Sequence, residues 1–206
     1  MMKTVLLLDL DNTIYPVSSI GDKLFKTLFA TIEKSGEFEG NFEAIKAEIQ
    51  RTPFQKVAYD FSFTKKLLNE CMNIHIHLTY DDPMFYFDDY SVIRNLPHKK
   101  YLVTSGFTKL QNSKIKQLGI FNDFEEIHII DLQTSVLTKK DIFQKIIEGN
   151  NFQKNEVLVI GDDINSEIKA GSELDLKSVL YDRKGKFLKT ESIPSIATFH
   201  EIHRFI

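Results

Sequence analysis

TVLLLDLDNT, residues 4–13, begins as a leucine-rich run and closes on two acids one residue apart. A continuous run of leucine and β-branched residues, with no polar alternation, suits a strand buried on both faces of a parallel sheet. At the end of such a strand Asp9 and Asp11 point the same way, because strand side chains alternate with period two. Carboxylates placed like this repel unless a cation or a shared proton offsets them. The plain alternative is a strand running into an Asn/Asp turn with solvated acids. The buried run just before the acids weighs against it.

Two later runs repeat the pattern. YLV (residues 101–103) leads into Thr104-Ser105-Gly106, and EVLVI (156–160) leads into Gly161-Asp162-Asp163. Ile127–Ile130 and Lys177–Leu180 are further strand candidates. Between them lie amphipathic stretches over Thr108–Leu118, Lys140–Glu148 and Ile164–Ala170. Each is followed by a glycine (119, 149 and 171) that is expected to cap a helix C-terminus. Strands alternating with helices predict right-handed βαβ units and an α/β fold with a Rossmann-like parallel sheet. Ligands in such sheets bind beyond the carboxyl ends of the strands, where all three polar clusters fall.

Residues 15–89 break this rhythm. Helices are expected over Gly21–Lys34, Asn41–Gln50, Phe54–Asn73 and Asp81–Asn95. The chain therefore divides into a core of residues 1–14 and 90–206 and a small all-helical cap of residues 15–89, inserted after the first strand. The insert's aromatics, Phe25 and Phe54 among them, are expected to form its own core. His75 and His77 are expected to be a polar pair at a helix end.

Composition narrows the function classes. Of 206 residues 42% are hydrophobic and 12% aromatic, enough for a packed core and too many for disorder. The net charge of -3 gives no basic stripe for a nucleic acid polymer or an anionic membrane. Cys71 is the single cysteine, so no internal disulfide can form. The first apolar run is too short for a signal peptide and meets acids at once, so the chain reads as cytoplasmic.

The remaining polar residues fit one kind of chemistry. Asp162, Asp163 and Glu167 add acid to the Asp9/Asp11 pair and make a pocket suited to Mg²⁺, a hard cation that prefers carboxylate and phosphate oxygens. Thr104-Ser105-Gly106 offers a hydroxyl and main-chain N–H groups to an anion, or simply caps the next helix. Thr138-Lys139-Lys140 puts cations at a helix start, against the helix dipole. A lysine there makes electrostatic sense if it leans over a phosphate and Asp9. Lys139 is preferred, with Lys140 left open.

In their order, DLDNT (9–13), TSG (104–106), Lys139 and GDDINSE (161–167) resemble the haloacid dehalogenase (HAD) superfamily of aspartate-dependent phosphohydrolases. The segment from Thr104 to Phe124 and DNTIYP (11–16) resemble the subfamily with a helical cap after strand one. The resemblance implies that Asp9 is the nucleophile of a Mg²⁺-dependent phosphatase working through a phospho-aspartyl intermediate. Asp11 would serve as general acid and then base, with a pKa raised by burial and neighbouring acids. The metal ligands would be Asp9, Asp162 and the Asp11 carbonyl, with Asp163 and Glu167 supporting them. The phosphoryl oxygens would be held by Thr104, Lys139, Ser105, Gly106 and the main chain of Leu10 and Asp11. The chain departs from the family pattern at Ser105, at Glu167 and at Lys140, where asparagine, aspartate and proline are usual.

Asp11 and Asp162 argue against dehalogenation. A phosphomutase on the same core and a non-catalytic phosphate-binding module are the alternatives to hydrolysis. A cap over the pocket implies a small phosphorylated metabolite, and DNTIYP resembles members acting on nucleoside monophosphates. The protein is expected to be a monomer or a homodimer.

Overall fold

The computed structural model describes residues 4–131, 133–187 and 193–206. In chain order, β1 (Val5–Leu8) is followed by α1 (Gly21–Leu24), α2 (Lys26–Ser35), α3 (Phe42–Ile49), α4 (Phe54–Asp60), α5 (Lys65–His77) and α6 (Tyr90–Arg94). Then come β2 (Lys99–Ser105), α7 (Thr108–Leu118), β3 (Glu126–Ile130), α8 (Lys139–Asn150), β4 (Val157–Gly161), α9 (Lys169–Glu173), β5 (Lys177–Tyr181) and β6 (Ser195–Ile196). The strands form one all-parallel sheet in the order β3-β2-β1-β4-β5-β6. This is the Rossmann-like α/β architecture expected from the alternating pattern.

Strand β1 sits between β2 and β4, with Leu8 opposite Leu102 on one side and Ile160 on the other. Chain order reverses across β1, so the loops after β1, β2 and β4 open into one crevice. Both faces of the strands are buried, as a parallel sheet requires. Leu6, Leu8, Leu102, Leu158 and Ile160 pack into a core shared with the helices after β1. Val5, Leu7, Tyr101, Val103, Val157 and Val159 pack on the other face against Ile142, Phe143 and Ile146 of α8. Each such leucine or valine is worth about 2 kcal/mol of transfer free energy.

The helices α1–α5 occupy the stretch read as an insert, but one expected helix is split in two and another is shorter. The run from Phe54 breaks at Ser62, which takes a left-handed φ of 52°, and restarts where the Thr64 hydroxyl accepts from Leu67 N. Of residues 81–95 only Tyr90–Arg94 are helical. Pro83 has no N–H to donate and disfavours helix just before it.

Two glycines also do something other than expected. Gly149 lies inside α8, which ends at Asn151 with φ 56° instead. Gly171 lies inside α9, where a Cβ would come 2.2 Å from the Ser178 hydroxyl. Gly119, by contrast, caps α7 with φ 62°.

Candidate active site

The acids from the two ends of the sequence meet. Carboxylate oxygens of Asp9, Asp162 and Glu167 lie within 4.8 Å of one another at the carboxyl ends of β1 and β4. Asp9 continues the ladder, donating its N–H to the Ile160 carbonyl at 3.1 Å. Glu167 reaches back because the chain after Asp163 makes one wide turn, with Ile168 N–H donating to the Asp163 carbonyl five residues earlier. Its side chain lies against Gly161, where a Cβ would come within 2.1–2.3 Å of its Cγ and carboxyl. Only glycine leaves room for that approach.

Lys139 enters this cluster from the first turn of α8. Its ammonium is 2.5 Å from Asp9 Oδ1 and 2.7 Å from Glu167 Oε2. Burial works against its charge, but the two carboxylates hold its pKa above the ordinary lysine value. Those carboxylates also offset the unfavourable end of the helix dipole. The turn itself is fixed by a capping box between Thr138 and Asp141. Lys140 points elsewhere and pairs with Glu173 at 3.2 Å, so of the two lysines it is Lys139 that stands beside Asp9.

Burial pushes the Asp9 carboxyl up to about 7, opposed by Lys139 and reinforced by Glu167 and Asp11. Burial likewise raises Asp162 to about 8, with Asp9 and Glu167 adding to it. These are carboxylates held close together with too little positive charge, the situation a hard divalent cation relieves. Glu167 already has both oxygens engaged, by Lys139 and by Asp163 N–H at 2.7 Å. Asp9 and Asp162 are therefore the better direct ligands. Asp163 is exposed and its side chain caps Asn165 N at 2.8 Å.

Asp11 differs from expectation. Its carboxylate accepts from Lys114 Nζ at 2.8 Å, from Gln111 Nε2 at 2.9 Å and from the Tyr15 hydroxyl. Burial pushes its pKa up, yet Lys114, Tyr15 and Gln111 outweigh that and hold it below the usual carboxylate value. The raised pKa anticipated from neighbouring acids is absent because these three donors face Asp11 more closely.

On β2, the buried Thr104 hydroxyl oxygen accepts from Gln111 Nε2 at 2.7 Å, and the Ser105 carbonyl accepts from the same nitrogen at 3.3 Å. Gly106 does not offer its N–H to the crevice, because it donates to the Ile130 carbonyl at 3.0 Å. It serves conformation instead, at φ 148°. Leu10 is fully buried, its carbonyl accepting from Ile14 N at 2.9 Å.

The sequence model of haloacid dehalogenase-like hydrolases matches residues 3–175. The chain belongs to that family. Solved structures with this fold include YfnB of Bacillus subtilis bound to magnesium, at a TM-score of 0.65, 18% identity and coverage of 99% of this chain and 98% of that one. A HAD phosphatase from Thermococcus onnurineus gives 0.64 at 20% identity, over 98% and 96% of the two chains. L-2-haloacid dehalogenase from Xanthobacter autotrophicus gives 0.59 at 11%, over 98% of each. The glyceraldehyde 3-phosphate phosphatase of Pyrococcus abyssi (strain GE5 / Orsay) is 29% identical over 89 residues, which are 43% of this chain and 37% of that protein.

Two site residues of this HAD-like hydrolase escape a reading of motifs. Gln111 and Lys114 are both buried on α7, on the face that also buries Leu110, Ile115 and Leu118. A glutamine and a lysine set inside an apolar stripe are the signal that could have found them. Above the acids opens a cavity of about 770 Å³, lined by Asp9, Lys139 and Asp162 below and by Ile49, Phe54 and His75 of the helices after β1.

Proposed function

We propose that this hydrolase is a Mg²⁺-dependent phosphatase acting on a small phosphorylated metabolite through a phospho-aspartyl intermediate on Asp9. The observation that carries this is the meeting of Asp9, Asp162 and Glu167 around the Lys139 ammonium. Asp9, Asp162 and the Asp11 carbonyl would hold Mg²⁺, which supplies positive charge to the phosphoryl oxygens. The carboxylates' proximity and raised pKa values support that fit.

Asp9 attacks phosphorus in line, forming an acyl-phosphate bond as the bond to the leaving oxygen breaks. Lys139 favours the ionised form of Asp9 against its burial and keeps it aimed, while its charge also serves the phosphoryl group. The Thr104 hydroxyl, oriented by Gln111, is free to donate to the same group. Asp11 gives a proton to the leaving oxygen and later takes one from the water that hydrolyses phospho-Asp9. Its donors favour the anion needed in the second half. An incoming phosphate dianion opposes them and raises the pKa for the first half. The helices α1–α5 serve as a cap that shields the intermediate from stray water.

Purified protein is expected to hydrolyse an aryl phosphate with Mg²⁺ and not with EDTA. Asp9→Asn should lower kcat on the order of 10⁴-fold or more with the fold intact. Turnover that persists in EDTA, or in Asp9→Asn, refutes the proposal.

A further inference from the structure

Among the described residues, six lysines and arginines line the cavity. Four of them are matched by acids: Lys139 by Asp9 and Glu167, Lys114 by Asp11, Arg51 by Glu48, and Arg183 by Asp88 and Asp89. The other two are Lys184 and Lys186, both exposed. Neither side chain forms an ion pair or a hydrogen bond with a described residue.

An exposed lysine is ordinarily just solvated, but this pair is placed and held. It stands on the turn after β5, a strand that pairs with β4 so that Leu180 lies opposite Gly161. The turn therefore leaves the sheet next to Asp162, at the carboxyl end where ligands of parallel sheets bind. Asp182 fixes its backbone, accepting from Lys186 N–H at 2.9 Å and from Phe187 N–H at 3.0 Å. Both oxygens of the nearest acid are thus given to main-chain donors rather than to the two ammonium groups. Between the lysines, Gly185 takes a left-handed φ of 60° and donates its N–H to the Asp182 carbonyl at 3.1 Å. Arg183 holds the start of the turn, with its guanidinium 4.7 Å over the Phe87 ring.

Charge in the cavity is consequently sorted. The floor carries Asp9, Asp11, Asp162 and Glu167 with their two lysines, and the rim carries two cations that no described acid offsets. A volume of about 770 Å³ leaves room for much more than a phosphoryl group. An anion on the far end of the leaving group would escape the floor's acids and meet the rim's cations.

We propose that Lys184 and Lys186 form an anion subsite at the cavity rim. The substrate is then a phosphate monoester whose alcohol carries a second anionic group, a carboxylate or a further phosphoryl group, away from the reacting phosphate. This rests on the phosphatase reading above and goes further by choosing doubly acidic esters over neutral and cationic ones.

The test uses linear alkyl phosphates, from propyl to hexyl, whose other end is a methyl, carboxylate, phosphate or ammonium group. At the best chain length the wild type with Mg²⁺ should prefer the carboxylate ester to the methyl ester by about fivefold in kcat/KM, and should disfavour the ammonium ester. Whichever of the carboxylate ester and the bisphosphate leads, after allowance for the two equivalent ends of the latter, identifies the second group. Lys184→Gln/Lys186→Gln should remove the preference for acidic esters. Lys184→Glu/Lys186→Glu should invert it in favour of the ammonium ester, a gain that a merely damaged protein would not show. Asp9-dependent turnover with no preference for acidic esters at any length overturns the proposal, as does a preference that survives Lys184→Gln/Lys186→Gln. Failure to turn over any ester refutes the phosphatase reading instead. Calorimetric binding of the same esters then decides the rim, and acidic esters binding no tighter than methyl ones overturn it.

Discussion

At the residue scale, the site is a contest between two lysines for three acids. Lys139 is shared by Asp9 and Glu167, while Lys114 holds Asp11. Asp11 is thereby kept an anion and Asp9 is kept aimed. Lys114→Met removes the largest influence opposing the burial of Asp11, so its pKa rises. In the proposed mechanism Asp11 must be deprotonated to act as base toward water, and the acid limb of the pH–rate profile should therefore move to higher pH. A fall in kcat of about tenfold or more should accompany it. Steady-state rates across pH for wild type and variant check this, and an unmoved acid limb would count against the role of Lys114. Asp9, Asp11 and Asp162 were legible because they stand at the ends of apolar runs, where polarity has no packing reason, and Lys139 because a cation at a helix start opposes the dipole. Gln111 and Lys114 were not, because a helical segment with mixed residues hides which of its polar side chains face inward.

At the element scale, tertiary packing overrode local pattern where the pattern was weak. The sheet was legible because strands buried on both faces leave continuous apolar runs. Glycine was a poorer guide to helix ends: Gly119 caps α7, but Gly171 is dictated by close side-chain approach and Asn151, beyond Gly149, provides the αL cap of α8. On α5, His75 packs into the aromatic core as a neutral ring, and this has a pH consequence. Its folded pKa of about 4 lies below the ordinary value of 6.5. The unfolded chain therefore binds an extra proton between these values, and stability is lost as pH falls through that window. Relative to His75→Phe, the wild type should lose up to about 3 kcal/mol between pH 7 and pH 4. Urea denaturation of both proteins across that range measures the difference, which should stop changing with pH above pH 7.

At the scale of the whole molecule, the helices α1–α5 and the sheet share one hydrophobic cluster, and the chain between α5 and β2 is anchored at Asp89. That buried carboxylate accepts from the Tyr181 hydroxyl, Arg183, the Thr198 hydroxyl and Phe199 N–H, at 2.8–3.2 Å. It ties the chain just before α6 to β5 and to the C-terminal segment. Asp89→Ala leaves those donors unmet and should cost about 3 kcal/mol or more in a denaturant melt.

The largest global effect should come from the acid cluster itself. Asp9 titrates near 7 and Asp162 near 8 in the fold, against an ordinary value of 3.8. Through the window from about pH 4 to pH 8 the native state binds more protons than the unfolded chain, so these two groups make the metal-free protein less stable as pH rises. In the proposed site Mg²⁺ would bind the deprotonated pair and compete with those protons, so its stabilisation should grow over the same window. Thermal melts with and without saturating Mg²⁺ should show a small gain in Tm at pH 6 and a larger one at pH 8. Asp162→Asn should flatten both trends, because it removes one titrating group and one ligand together. A Mg²⁺ gain independent of pH would mean that the cation binds elsewhere, and the electrostatic basis of the site would then have to be rebuilt without it.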